Sequence, residues 1–148
     1  MVGNRGGNLL DGSGGNDLIN GKEGGDILIG GRGADTLVGE AGADVFRYLS
    51  HLDSPAGAST RDFINGFEHG QDKIDLTALD GNLSTAAREG FRFISGQAFS
   101  GSAGEIRSFS WGGNNFNLVE IDLTGNAEAD MQIFINQTAQ MYASDFLV

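Results

Sequence analysis

The chain has 148 residues, 39% of them hydrophobic and ten of them Phe, which is enough for one domain with a core or for two small packed parts. Twenty acids against nine bases give a net charge of −11, which leaves no basic footprint for nucleic acid or for an anionic membrane surface. There is no Cys and no apolar run approaching a membrane span, so disulfides, thiolate metal centres and a spanning helix are all excluded.

The first element is a repeat. From Gly3 to Arg47 the chain reads GNRGGNLLD, GSGGNDLIN, GKEGGDILI, GGRGADTLV and GEAGADVFR, five nonapeptides on the template G-G-x-G-x-D-x-U-x, where U is large and apolar. Position six is Asn8, Asp17, Asp26, Asp35 and Asp44; position eight is Leu10, Ile19, Leu28, Leu37 and Phe46. Glycine at this density supports turns with positive φ that leave backbone carbonyls free to converge. The last three residues of each unit form a short strand, whose middle side chain alone faces a core because alternate residues point to opposite faces. Two units then make one coil, and units two apart stack: turn 12–17 against 30–35 on one side, turns 3–8, 21–26 and 39–44 on the other. A flexible glycine-rich linker would not keep an acid and an apolar residue at fixed phase.

Stacking of this kind brings carboxylates such as Asp17 and Asp35 together, where like charges repel unless a cation lies between them. Calcium suits the gap, since it takes six to eight oxygens, carboxylate and carbonyl alike, in loose geometry. The candidate calcium ligands are residues of the turns: Gly3, Arg5 and Asn8 in the first, and Gly12, Gly14 and Asp17 in the second. Gly21, Lys22, Glu23, Gly24 and Asp26 follow in the third, Gly30, Gly31, Arg32, Gly33 and Asp35 in the fourth, and Gly39, Glu40, Gly42 and Asp44 in the fifth. About four bound calcium ions would bring roughly eight positive charges, so the acidity reads as a metal-binding surplus. Asn8 supplies less charge than a carboxylate, which makes the first site, Asn8 with Asp26, the weakest.

Past Arg47 the segments GADVFRYLSHLDS (42–54), RDFINGF (61–67) and GQDKIDLTAL (70–79) resemble the C-terminal calcium-binding module of serralysin-type metalloproteases. They are similar also to the R-modules of alginate epimerases and to the tails of RTX lipases, and the resemblance covers nearly the whole chain. It implies that turn carbonyls and the sixth-position acids bind calcium and that two later acids complete the last site. The matching acids here are Asp53, nine residues past Asp44, and Asp62. Gly66 stands where family members carry Asp, so that carboxylate is missing.

The remainder reads as β: FRFI (91–94), EIRSF (105–109), NLVEIDL (117–123) and MQIFI (131–135), with WGGNN (111–115) as a turn and LSTAARE (83–89) as a single helical turn. Val119, Ile121 and Leu123 alternate with Glu120 and Asp122, which predicts one face on a core and one in water. The expected fold is all-β, a parallel β-roll of calcium-binding nonapeptides over 1–47 closed by an antiparallel β cap over 48–148 in one continuous module.

Catalytic signals are absent: neither His51 nor His69 lies in H-E-x-x-H, and no Ser has a nucleophile-elbow surround. His51, near the last turn, reads as an ordinary exposed histidine, since calcium prefers oxygen. The ending SDFLV (144–148) resembles the C-terminal signal of type I export, and it reads equally as a final strand. The N-terminus carries no secretory signal peptide, and the repeat that starts directly after Met1 is expected of a segment cut from a longer chain. The leading expectation is a non-catalytic module of a secreted, extracellular bacterial protein, with type I secretion machinery and an attached N-terminal catalytic domain as partners and calcium as the driver of folding. The alternative is a module binding an anionic polysaccharide such as alginate through Arg5, Lys22, Arg32 and Arg47.

Overall fold

A computed structural model describes residues 1–112, 115–136 and 140–148. The expected turn at 111–115 therefore falls partly outside the described residues, at Gly113 and Asn114. Twelve strands form two sheets, and no α-helix occurs among the described residues.

The repeat strands are β1 (Leu9–Asp11), β2 (Leu18–Glu23), β3 (Ile27–Ile29), β4 (Thr36–Ala41) and β5 (Val45–Arg47). Odd and even strands separate into two sheets, as two units per coil require. β1, β3 and β5 pair in parallel, with Leu10 opposite Leu28 and Leu28 opposite Phe46. β2 pairs with β4, with Ile19 opposite Leu37. Position eight thus forms one apolar ladder per sheet, each rung worth about 1.5–3 kcal/mol when fully buried. Strands β2 and β4 are twice the expected length because Lys22 and Glu23 continue the ladder against Glu40 and Ala41.

The parallel ladders do not stop at Arg47. β6 (Asp62–Asn65) pairs with β4, and β7 (Lys73–Asp75) pairs with β5, setting Ile64 beside Leu37 and Ile74 beside Phe46. Both sheets then continue: β11 (Met131–Asn136) lies parallel to β6, and β12 (Phe146–Leu147) parallel to β7. The antiparallel part is present as β11, β10 (Phe116–Asp122) and β9 (Glu105–Ser110), with the short β8 (Arg92–Phe93) parallel to β9 at the edge. It extends one sheet of the roll edge-on, giving the order β2-β4-β6-β11-β10-β9-β8. SDFLV therefore holds the final strand, with Phe146 buried.

Two expectations fail here. LSTAARE forms no helix, because Asp80 and Asn82 accept the N–H groups of Asn82, Glu89 and Ser84 and so compete with helical hydrogen bonds. Glu120 and Asp122 do not face water. Glu120 is buried between Arg107 (2.6 Å) and Gln132 (2.7 Å) on the flanking strands, and Asp122 is buried with the N–H groups of Thr124, Gly125 and Ala127 on its carboxylate.

Candidate metal centre

The sixth-position residues form two rows, one along each side of the roll. In the first, the Asn8 N–H donates to Asp26 Oδ1 (2.7 Å), the Asp26 N–H to Asp44 Oδ1 (2.8 Å), and the Asp44 N–H to Asp72 Oδ1 (3.0 Å). In the second, the Asp17 N–H donates to Asp35 Oδ1 (2.7 Å) and the Asp35 N–H to Asp62 Oδ1 (2.9 Å). Each carboxylate from Asp26 onward in the first row and from Asp35 onward in the second thus caps the backbone of the coil before it. This is the two-apart stacking that the repeat predicts, and it spends one oxygen of each capping carboxylate.

The other oxygen is left over. Oδ2 of Asp17, Asp26, Asp35, Asp44 and Asp62 is buried with no hydrogen-bond partner. An orphaned buried carboxylate oxygen costs several kcal/mol, and five in register cannot be incidental. Burial, joined by the facing acids, accordingly raises Asp35 and Asp44 above the ordinary carboxylate value and pushes Asp62 up to about 8. Nothing basic relieves these groups, since every ion pair found among the described residues lies elsewhere.

The turns around these oxygens are built from backbone. Position two adopts positive φ at Lys22 (82°), Gly31 (86°) and Glu40 (69°), and position four does so at Gly24, Gly33 and Gly42. At position four a Cβ would collide with the coil before it: that of Gly33 with the Gly15 carbonyl, that of Gly42 with the Gly24 carbonyl. Gly12 stands where a Cβ would come 2.8 Å from Asp17 Oδ2, and a Cβ on Gly21, Gly30 or Gly39 would collide with Oδ2 of Asp26, Asp35 or Asp44. Gly3 faces the Asn8 side chain in the same way. These position-one glycines therefore preserve the space beside the orphaned oxygen. Position three (Arg5, Gly14, Glu23 and Arg32) stacks coil on coil, with Arg5 reaching Glu23 (3.4 Å) and the Arg32 carbonyl taking the Gly15 N–H (2.8 Å).

Among the described residues no three His, Cys, Asp or Glu side chains converge. A cation in either row would draw on facing carboxylates and otherwise on backbone oxygen. That donor set fits calcium and suits neither zinc nor copper.

The two later acids divide differently from the expected pair. Asp62 continues the second row, and its own N–H donates to Ser54 Oγ (2.8 Å). Asp53, chosen because it lies nine residues past Asp44, is not the next member of either row. Its Oδ2 receives the N–H groups of Leu49 and Ser50 (both 2.9 Å) at the 3-10 turn His51–Asp53, and its charge lies close enough to raise Asp35 and Asp62. The residue that spacing missed is Asp72. Both Asp62-Phe-Ile64 and Asp72-Lys-Ile74 keep the D-x-U half of the repeat, and Asp72 keeps its position-four glycine as well (Gly70, φ 87°), signals that Asp53-Ser-Pro55 lacks. Asp72 has both oxygens occupied, by the N–H groups of Asp44 and Glu68 (2.8 Å), and burial pushes it up to about 6. It ends its row as a closed cap, whereas Asp62 ends the other open. Tyr48, fully buried, turns its hydroxyl toward Asp62 without reaching hydrogen-bonding geometry.

A family model described as Peptidase M10 serralysin C terminal matches residues 25–148, and one described as RTX calcium-binding nonapeptide repeat matches residues 1–28. The chain belongs to the serralysin C-terminal family. It is a calcium-binding repeat module of β-roll fold rather than a catalytic domain. Among solved structures it is similar to the AlgE6R3 subunit of the Azotobacter vinelandii mannuronan C5-epimerase, at 25% identity and a TM-score of 0.69, over 99% of this chain and 76% of that one. It is similar also to the AlgE6R2 subunit, at 26% identity and a TM-score of 0.64, over 99% and 91%. No curated protein matches. No helix among the described residues is long and apolar enough to cross a membrane.

Proposed function

We propose that this module folds on binding calcium and thereby supports type I secretion and extracellular folding of a larger bacterial protein to whose catalytic domain it is attached. The observation that carries this reading is the set of five buried carboxylate oxygens with no partner in the protein. Calcium would be held by Asp17, Asp26, Asp35, Asp44 and Asp62 with turn carbonyls, and would supply the positive charge that these rows lack. In a low-calcium cytosol the rows repel and the repeats stay open, a state suited to a narrow channel. Extracellular modules bind calcium at about 10⁻⁴–10⁻³ M, so millimolar calcium outside the cell drives the fold. Each site contributes at most a kcal/mol or two at that concentration, and several coupled sites are needed. The test is far-UV circular dichroism and thermal melting with chelator and with millimolar calcium; superimposable curves would reject the reading.

A second reading, an acidic-polysaccharide module, draws support from the likeness to mannuronan epimerase subunits. The bases expected to serve it are mostly engaged. Lys22 pairs with Glu40 (2.9 Å), Arg47 with Asp75 (2.7 Å) and Arg5 with Glu23, each reaching across one coil. Arg32 alone of the four is exposed with no ion pair found among the described residues.

A further inference from the structure

The outer face of the seven-stranded sheet carries a pattern that the calcium rows do not use. Cross-strand pairing places Leu18, Thr36, Phe63, Phe134, Leu118 and Phe109 in one line across β2, β4, β6, β11, β10 and β9, all of them at least partly exposed except Leu118, which is buried. The rings touch: Phe63 to Phe134 at 5.8 Å between centroids, Phe134 to Phe116 at 5.1 Å and nearly parallel. Beside them the next line is amide-rich, with Asn65 opposite Asn136 and hydrogen-bonded to it (2.7 Å), and Asn20 farther along. Trp111, the one Trp of the chain, stands 45% exposed at the end of the rings, 6.2 Å from Phe109. The Arg61 guanidinium lies over both Phe134 (4.9 Å) and Trp111 (5.6 Å), and its hydrogen bond is a long one to the Gln132 amide (3.4 Å). No carboxylate pairs with it among the described residues, although the chain carries 20 acids.

We propose that this face is a platform for an extended acidic polysaccharide. The inference rests on the second reading above and gives it a surface other than the turn bases. A pyranose offers an apolar C–H face to an aromatic ring and hydroxyls to flanking amides, and here rings and amides run side by side. Strands lie about 4.8 Å apart, so the line across six strands spans roughly 24 Å, and its period is close to the rise of a 1,4-linked pyranose chain. Arg61 adds the charge complementarity: a guanidinium seated on two rings and free of acids matches a carboxylate carried by the sugar.

Trp111 is the built-in reporter. Mannuronate hexamer titrated into the calcium-loaded protein is expected to change Trp emission, with cellohexaose as the neutral comparator binding more weakly. By calorimetry, Arg61→Gln and Trp111→Ala should each weaken binding by about three- to tenfold at unchanged calcium midpoint, with Asn136→Ala in the same direction. Arg61→Lys, which keeps the charge but loses the planar stack, should fall between wild type and Arg61→Gln. Binding that leaves Trp emission unchanged and depends instead on Arg5, Lys22, Arg32 or Arg47 would overturn the platform and keep the polysaccharide reading. Equal affinity for cellohexaose would overturn the acidic requirement, and no heat or emission change at millimolar hexamer would end both.

Discussion

The roll and the antiparallel strands both bury acids, and they satisfy them in opposite ways. In the antiparallel part each buried carboxylate has an internal partner: Glu105 takes Arg92 and Ser100, Glu120 takes Arg107 and Gln132, and Asp122 takes three N–H groups of its own turn. In the roll, five carboxylates keep one buried oxygen with none. A buried acid with a partner holds a structure together under any ionic condition, while one without a partner makes the structure conditional on whatever supplies the charge. The calcium dependence proposed above therefore belongs to the roll, and the antiparallel strands are tied to it through the β6–β11 pairing, the Pro55–Met131 bridge and a shared apolar core.

The largest expected effect follows from that division. Removing calcium with a chelator should abolish hydrogen-exchange protection in β2 to β6 and lower it less in β9 to β11, with protection restored at millimolar calcium. Equal loss in both regions would mean that the module is a single cooperative unit and that the contrast has no thermodynamic content.

Acid should separate the regions again, with opposite sign. Without metal, Asp62 in the folded chain titrates at about 8, against an ordinary 3.8, because burial and the facing acids disfavour its charge. Folding then takes up a proton between those values, so the contribution is fully present below the ordinary carboxylate range and is lost as pH rises through about 8. Asp72, pushed to about 6, acts in the same direction over a narrower window. Glu105 goes the other way: burial raises it, but Ser100 and Arg92 outweigh that and hold it low, so its contribution is present above the ordinary range and lost as pH falls. In chelator, lowering the pH from 8 to 5 should bring back circular dichroism and exchange protection in the roll strands. A metal-free roll that only weakens over that interval would contradict the burial of these groups.

How far the sequence discloses this contrast depends on which physics repeats. Two-apart stacking, the apolar ladder and the two acid rows are legible because an identical local geometry recurs every nine residues, and a period is something a single sequence can show. Beyond Arg47 that period ends, and counting nine residues onward leads to Asp53, whose carboxylate caps a 3-10 turn, while the row itself resumes at Asp62 and Asp72. The surviving signal there is chemical rather than metric: an acid, any residue, then a core aliphatic. The burial of Glu120 and Asp122 could not be read from alternation, because what hides Glu120 is Arg107 and Gln132 on the flanking strands, and what satisfies Asp122 is the fold-back of the turn that follows it, whose N–H groups point at its carboxylate.

Within the roll, position along a row sets the next scale of effect. Asp35 caps Asp17 and is itself capped by Asp62, so it faces an orphaned oxygen on either side, whereas Asp17 has one neighbour in its row. Asp35→Ala should raise the calcium midpoint for folding by roughly fivefold and reduce its cooperativity, against about twofold for Asp17→Ala. Gly30→Ala sharpens the same point without touching a carboxylate, since its Cβ would occupy the space beside Asp35 Oδ2. It should raise the midpoint in the direction of Asp35→Ala, while Gly96→Ala in the antiparallel half, where the nearest atom is 3.4 Å away, should leave it unchanged. Equal midpoints for Asp35→Ala and Asp17→Ala would remove the row as the unit of binding.

The smallest effect belongs to Asn8, at the exposed start of the first row. Its Oδ1 already accepts the Asn4 N–H (2.7 Å), and its own N–H donates to Asp26 Oδ1, so the amide closes a turn that needs no ion to be satisfied. Asn8→Ala should loosen residues 3–8 and shift the calcium midpoint by less than about twofold, below either Asp substitution. The informative partner is Asn8→Asp. It puts a second carboxylate opposite Asp26 and completes the template in the one repeat that lacks it, so it should make calcium binding tighter while making the metal-free roll less stable, because the added charge meets Asp26 with nothing between them. Both shifts are read in one titration started from chelator. An Asn8→Asp midpoint equal to that of wild type, with no loss of metal-free structure, would show that the first coil takes no part in the row and that the metal-dependent stack begins at Asp26.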